Sequence, residues 1–233
     1  MLGALQAGLD EAARDAGVRA VVIAAKGPAF CAGHDLKELT GRRGDPDGGR
    51  AYFQRIMGTC STMMQQIVAL PQPVIAAVQG VASAAGCQLV ASCDLAIAST
   101  TAGFATPGVD IGLFCSTPMV ALSRNVARKH AMGMLLTGDI ISAEKAAAIG
   151  LVNDVVAAGQ ERVRAIELAK QIAAKSSHVI GIGKAAFYRQ IELPLVEAYA
   201  YASKVMTENM MARDAEEGIG AFIEKREPKW QDK

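Results

Sequence analysis

Apolar positions recur at helical spacing in the opening segment: Leu2, Leu5 and Leu9 share one face of a predicted helix over 2–16, and Gly17 ends it. The pattern then changes. Val18 to Ala25 is continuously apolar, as expected of a strand covered on both sides. Thr40 to Arg50, TGRRGDPDGGR, is the most polar and glycine-rich stretch and is predicted to be a mobile loop. A helix over 51–69 follows, closed off by Pro71 and Pro73. Next come a strand over 74–78, a small-residue turn over 80–85, a helix over 86–91, and a strand over 95–98 introduced by Asp94. Further predicted elements are a helix over 117–130, a helix over 143–149 capped by Ser142 and ended by Gly150, and a brief strand over 152–156. Beyond Gly159 helix follows helix, over 159–175, 178–191, 194–212 and 214–226. The expectation is an α/β core of stacked strand–helix units over 1–156 and an all-helical region over 157–233. No internal repeat or low-complexity linker interrupts it.

Composition narrows the function. With 233 residues, 51% of them hydrophobic, the chain can bury a sizeable core in one large domain or one and a half. Lys plus Arg number 24 against 23 for Asp plus Glu, which argues against a nucleic-acid partner while leaving room for a local basic cluster serving a phosphorylated small molecule. The five cysteines, Cys31, Cys60, Cys87, Cys93 and Cys115, form no C-x-x-C pair and are odd in number. They read as reduced, mostly buried residues of a cytoplasmic protein. His34, His130 and His178 are isolated from one another, so no metal site is expected. The opening lacks the basic start and apolar run of a signal peptide. Val74 to Ala91 is the one stretch that mimics a membrane span, but it carries Gln79, Gly80, Ser83, Gly86 and Gln88 and reads as soluble core.

The candidate chemistry sits in two small-residue corners. In PVIAAVQGVASAAGCQLVASCD, Pro73 to Asp94, an apolar strand runs through a tight turn straight into a helix. A helix start leaves unpaired backbone N–H groups along a favourable dipole, fit to hold an anion or an oxygen that becomes one. The second corner, Phe30-Cys31-Ala32-Gly33-His34-Asp35, also follows an apolar strand. Two such corners facing each other would hold one polarised carbonyl between two amides. Tight packing at a plain strand-to-helix corner is the alternative.

The segments FCAGHDLKEL, PVIAAVQGVASAAGCQLVASCD, FATPGVDIGLF, MLLTGDIISAEKAAAIGLVNDVV and EEGIGAFIEKR resemble, in order and spacing, the crotonase superfamily, or enoyl-CoA hydratase/isomerase family. The resemblance implies a crotonase-like spiral of ββα units, a helical C-terminal trimerisation region, and acyl-CoA thioester substrates of fatty acid metabolism. It implies no separate cofactor, and a homotrimer or a dimer of trimers. Carried over residue by residue, the two oxyanion-hole amides fall on His34 and Ala85. The substrate-binding positions fall on Ala32, Gly33, Asp35, Leu36, Lys37, Ala84, Pro107 and Phe114, with Phe222 and Lys225 reaching the adenine end. A solvated surface position for Lys37 and a core position for Phe222 are the plainer alternatives.

Two departures stand out. The glutamates that add water in the hydratases match Gln88 and Gly108 here. Losing a positioned acid or base costs about 10²- to 10⁴-fold per group, so a hydratase (lyase) or isomerase label overstates the chemistry expected. Asp110 is the candidate for a relocated base; turn capping is its plainer role. Cys115 and Ser116 lie where some relatives place catalytic groups, without a local activator. The second departure is the opening: the β-hairpin and loop that precede the first helix in the family have no counterpart, which is expected to leave a sheet edge unpaired. The competing readings are a non-catalytic acyl-CoA-binding or scaffold protein of the same fold, and a serine hydrolase of the related Clp protease fold with Ser83 as nucleophile and His130 or His178 as base.

Overall fold

The computed structural model describes all residues, 1–233. Its elements are α1 (Leu2–Arg14), β1 (Val21–Ala24), β2 (Ala29–Cys31), α2 (Leu36–Gly41), α3 (Arg50–Ala69), β3 (Val74–Val78), β4 (Val81–Ser83), α4 (Ala85–Ser92), β5 (Leu95–Ser99) and β6 (Gly103–Ala105). Then follow α5 (Pro118–Asn125), α6 (Arg128–Thr137), β7 (Ile141–Ser142), α7 (Ala143–Ala148), β8 (Asp154–Val156) and the C-terminal helices α8 (Glu161–Ala173), α9 (Ser177–Gln190), α10 (Leu195–Met210) and α11 (Arg213–Glu224).

The strands divide into two four-stranded sheets, ordered β1-β3-β5-β8 and β2-β4-β6-β7. The first three turns of chain each give a strand to the first sheet, then one to the second, then helix; the last reverses this, with β7 in the second sheet, then α7, then β8 in the first. This is the ββα spiral. All pairings are parallel except β6 with β7. β1 and β8 are the edge strands of the first sheet, β2 and β7 those of the second.

β3 shows why the continuous apolar run was readable. Its five residues are all buried. Val74, Ala76 and Val78 face the main core, while Ile75 and Ala77 face a smaller cluster completed by Ile97 and Ala165 of α8. Asp94, before β5, ties this strand to the helical region. Its Oδ2 accepts from Val74 N–H and from Lys184 Nζ, both at 2.7 Å, and its Oδ1 accepts from Tyr188 Oη at 2.9 Å. Lys184 also donates to the carbonyls of Ile67 and Gln72, at 2.9 and 3.0 Å. Burial holds the Lys184 ammonium below its ordinary pKa against the opposing pull of Asp94.

Three local expectations are corrected. The turn over 80–85 contains β4, which pairs in parallel with β2 and β6. The segment before Arg50 is ordered by α2, capped by Asp35 through the amides of Lys37 (2.8 Å) and Glu38 (3.3 Å), and by a 3-10 turn at Arg42–Gly44. The helix over 117–130 is two helices: Val126 and Ala127 are extended, and Val126 is buried. No proline or glycine marks that break; Asn125 helps end α5 by donating to Ala121 O at 2.8 Å and Ala91 O at 2.7 Å. Ser142 caps α7 as expected, accepting from Lys145 N–H at 3.2 Å.

Candidate active site

The two small-residue corners meet. Gly33 has φ +97°, and a Cβ on it would lie 3.2 Å from Ala84 Cβ, 3.3 Å from Ser83 O and 3.5 Å from Ala85 N. A Cβ on Gly86 would strike the Cys31 carbonyl oxygen and stand 2.8 Å from Cys31 Cβ. Glycine is therefore required on both sides of the contact, by backbone conformation at Gly33 and by backbone approach at Gly86. The strained residue of the turn is Ala84, at φ 49° and ψ −113°. Ala85 follows it as the first residue of α4, where a helical N–H has no acceptor within the helix. The His34 N–H likewise has no backbone acceptor.

Both residues line one cavity of about 480 Å³. Gly33 and Asp35 line it too, beside Cys31 and Glu38, and its apolar wall comes from Leu2, Leu5, Ile56, Met63, Met64 and Leu89. The wall is suited to a hydrocarbon chain and the corner to a polarised oxygen. Burial lowers the His34 pKa, with the charge of Glu38 opposing, so the imidazole is neutral near pH 7. Its Nε2 is closed to solvent and has no hydrogen-bond partner.

The remaining expected residues are placed apart from this cavity's lining. Gln88 is buried one turn into α4, and its Oε1 is unpartnered. Gly108 is buried in the 3-10 turn Pro107–Ile111, and a Cβ on it would lie 3.0 Å from Cys115 Sγ and 3.1 Å from Leu113 O. The room for a side chain there is already taken by Cys115, whose thiol is pushed up by burial. Asp110 is not brought to the site: it is exposed, with its carboxylate against Gly138, 2.9 Å from where a Cβ would stand. Ala32, Leu36 and Lys37 are exposed on the corner and the first turn of α2, and Phe114 is 41% exposed beyond Pro107. Phe222 is 84% exposed on α11 and Lys225 ends that helix in the left-handed region, far in sequence from both corners.

Sequence reasoning missed the outer rim. Arg42 and Arg55 stack on the Tyr52 ring at 4.9 and 5.1 Å, Arg43 lies 5.8 Å from the Phe53 ring, and Tyr52 Oη donates to Glu38. The clue was Arg42 and Arg43 about ten residues before Tyr52-Phe53, with Arg55 just after, hidden by treating the segment as a loop. A second cavity, about 280 Å³, lies beneath the C-terminal segment and includes Arg19, Lys175, His178 and Asp232; its guanidinium is already paired with Asp232 at 2.7 Å. His178 belongs there and His130 is exposed on α6, so neither serves Ser83. No cluster of three or more His, Cys, Asp or Glu side chains could hold a metal ion, and no helix is long and apolar enough to cross a membrane.

Comparison with known proteins matches the whole chain, residues 1–233, to the family model described as Enoyl-CoA hydratase/isomerase. Enoyl-CoA hydratase domain-containing protein 3, mitochondrial, is 48% identical in Rattus norvegicus over 99% of this chain and 75% of that protein, and 47% identical in Homo sapiens over 99% and 74%. The crystal structure of an enoyl-CoA hydratase from Mycobacterium smegmatis superposes with a TM-score of 0.93 at 51% identity, covering 99% of this chain and 88% of that one. The human enoyl Coenzyme A hydratase domain-containing protein 3 superposes with a TM-score of 0.93 at 47% identity, over 98% and 88%. These relatives overturn the expectation of a cytoplasmic location, since the rat, mouse and human proteins are each named mitochondrial. Reduced, buried thiols suit any reducing compartment, so the cysteines had no means of telling the two apart.

Proposed function

The chain belongs to the enoyl-CoA hydratase/isomerase family, and from that premise we propose that it binds acyl-CoA thioesters and stabilises a thioester enolate, with little ordinary hydratase activity. The reading rests on one observation: the Gly33–His34 corner packs against Ala84–Ala85 over a cavity with an apolar wall. A thioester carbonyl received there would meet the amides of His34 and Ala85. Each such donor contributes about 3 kcal/mol once the oxygen becomes an enolate. Gln88 is shaped like glutamate but has no titratable proton, and Gly108 has no side chain. At about 10²- to 10⁴-fold for each missing group, the loss outweighs what the amides alone supply to hydration.

A second reading is favoured by the filling of the Gly108 site with Cys115: the fold binds acyl-CoA without turning it over. The two readings share the site and differ in rate. Crotonyl-CoA is the test for both, followed by loss of the enoyl-thioester absorbance beside a calorimetric titration with CoA thioesters. Binding with slow, reproducible loss supports the first, and binding with none supports the second. Hydration at ordinary enzymatic rates overturns both, and absence of binding removes the acyl-CoA assignment itself.

The assembly proposed is a homotrimer, alone or paired. Large apolar side chains stand exposed along α10 and α11, with Leu195 at 73%, Val196 at 82% and Ile223 at 72%. Large apolar side chains this exposed are what a surface covered by another chain would present. Light scattering on the purified chain gives the mass; a monomer at micromolar concentration would count against the proposal.

A further inference from the structure

We propose that Glu38 is the base of the thioester cavity, taking the α-proton of a bound acyl thioester, and that Tyr52 is its positioning residue. This rests on the acyl-CoA reading above. An enolate forms only when some group removes that proton, and neither Gln88 nor Gly108 can do so. Two carboxylates line the cavity that His34 and Ala85 also line, those of Asp35 and Glu38. Asp35 is committed to the cap of α2, its Oδ1 accepting from the amides of Lys37 and Glu38. Glu38 stands one turn beyond the His34 corner, and its charge reaches the His34 imidazole. Its Oε1 accepts from Tyr52 Oη, which leaves Oε2 for a ligand. Tyr52 supplies the second observation. It is buried, at 8% exposure, with the guanidiniums of Arg42 and Arg55 stacked on its ring at 4.9 and 5.1 Å. It also shares one face of α3 with Ile56, Thr59 and Met63, which wall the cavity. The hydrogen bond to Glu38 chiefly raises the Tyr52 pKa, so the hydroxyl stays a donor. An accessible carboxylate oriented by a fixed third group is the arrangement of a working base.

The step balances without any further reagent. A Glu38 carboxylate oxygen takes the proton from the α-carbon. The C–H pair becomes the C=C bond of the enolate as the carbonyl π pair moves onto oxygen, where the amides of residues 34 and 85 hold it. Glu38 is exposed, so the carboxylic acid trades its proton with water. It then returns a solvent proton to the α-carbon and the carbonyl re-forms. The net change is replacement of one α-hydrogen by one from solvent, with the CoA thioester intact. A saturated acyl-CoA, which offers no double bond to hydrate, is a sufficient substrate.

Proton magnetic resonance of butyryl-CoA incubated with the full chain in deuterium oxide tests this, beside a calorimetric titration of the same thioester. The expected result is loss of the α-methylene signal while the β and γ signals persist. Glu38→Gln slows the exchange by about 10²- to 10⁴-fold in a protein whose circular dichroism and affinity for butyryl-CoA are those of the parent. Glu38→Asp keeps the carboxylate and exchanges faster than Glu38→Gln. Tyr52→Phe lowers kcat for exchange by about 10-fold, the worth of one hydrogen bond to a charged group, with KM unchanged. Exchange at the parent rate in Glu38→Gln overturns the assignment, as does binding of butyryl-CoA by the parent with no exchange. If butyryl-CoA does not bind, the acyl-CoA reading fails and this inference fails with it.

Discussion

Ala84 carries the least comfortable backbone of the corner, a residue with a Cβ held at φ 49° and ψ −113°, one position before the amide of Ala85. Such conformations cost of order 1–3 kcal/mol and persist where the surroundings fix them. Ala84→Gly removes the steric part while adding chain entropy to the unfolded state, so a net stabilisation of about 1 kcal/mol is expected. Urea denaturation would register it as a higher midpoint at unchanged slope; a lower midpoint would show that the side chain is not strained there. Gly108 poses the opposite problem. Restoring a glutamate by Gly108→Glu drives a side chain into Cys115 Sγ and Leu113 O, at an expected cost of about 1–3 kcal/mol and with no gain in hydration of crotonyl-CoA. Adding Cys115→Ala should relieve much of that cost, a coupling that a double-mutant cycle measures. Additive costs would mean that the two residues do not compete for one space.

At the scale of elements, the spiral depends on a tie that no local pattern announces. Lys184 of α9 and Asp94 before β5 lie 90 residues apart, yet their 2.7 Å pair fixes the α4–β5 corner to the helical region. Lys184→Met leaves Asp94 charged and part-buried without its cation, and frees two carbonyls, so a loss of about 3–5 kcal/mol is expected. Tyr188→Phe removes one hydrogen bond and should cost about 1 kcal/mol. Comparable losses from the two in thermal unfolding would show that charge is not what matters at Asp94. The contrast explains what was legible. β3 was readable because its own five residues are apolar and both faces are covered. α4 was readable because a small-residue turn precedes it; the amide positions at His34 and Ala85 came from the family resemblance and not from that pattern. β4 was not, being three residues whose pairing is decided by β2 and β6. The meeting of Gly108 with Cys115 was equally hidden, since the path of an irregular loop decides it and spacing does not. The course of Asp110 was hidden for the same reason: its side chain follows the 3-10 turn to Gly138.

Across the whole molecule, the last residues act as a strap between the helical region and the first sheet. Arg19, just before β1, donates to both carboxylate oxygens of Asp232 at 2.7 and 3.2 Å, and Asp232 also accepts from Ser177 N–H at 2.8 Å. Buried Asp214 accepts from the amides of Gln231 and Asp232 at 2.7 and 2.8 Å. Glu217 grips Arg226 through both oxygens, at 2.7 and 3.0 Å. Between them the chain's one tryptophan, Trp230, donates to Ala174 O at 2.9 Å. The Arg19 hydrogen bond chiefly holds Asp232 down at about 2, from an ordinary 3.8, and the Arg226 hydrogen bond chiefly holds Glu217 down at about 2, from 4.5. Both folded-state values lie below the unfolded ones, so their contribution is complete above about pH 4.5 and is lost as pH falls toward 2. The strap is therefore expected to loosen across that window, read by a change in Trp230 emission. Arg19→Ala removes the principal cause of the Asp232 shift, so the midpoint of the emission change should move upward toward 3.8 while the far-ultraviolet signal of the spiral stays that of the parent at pH 6. A midpoint indifferent to Arg19 would mean that the strap is held by Asp214 and Glu217 alone, and that the first sheet and the helical region are not joined through Asp232.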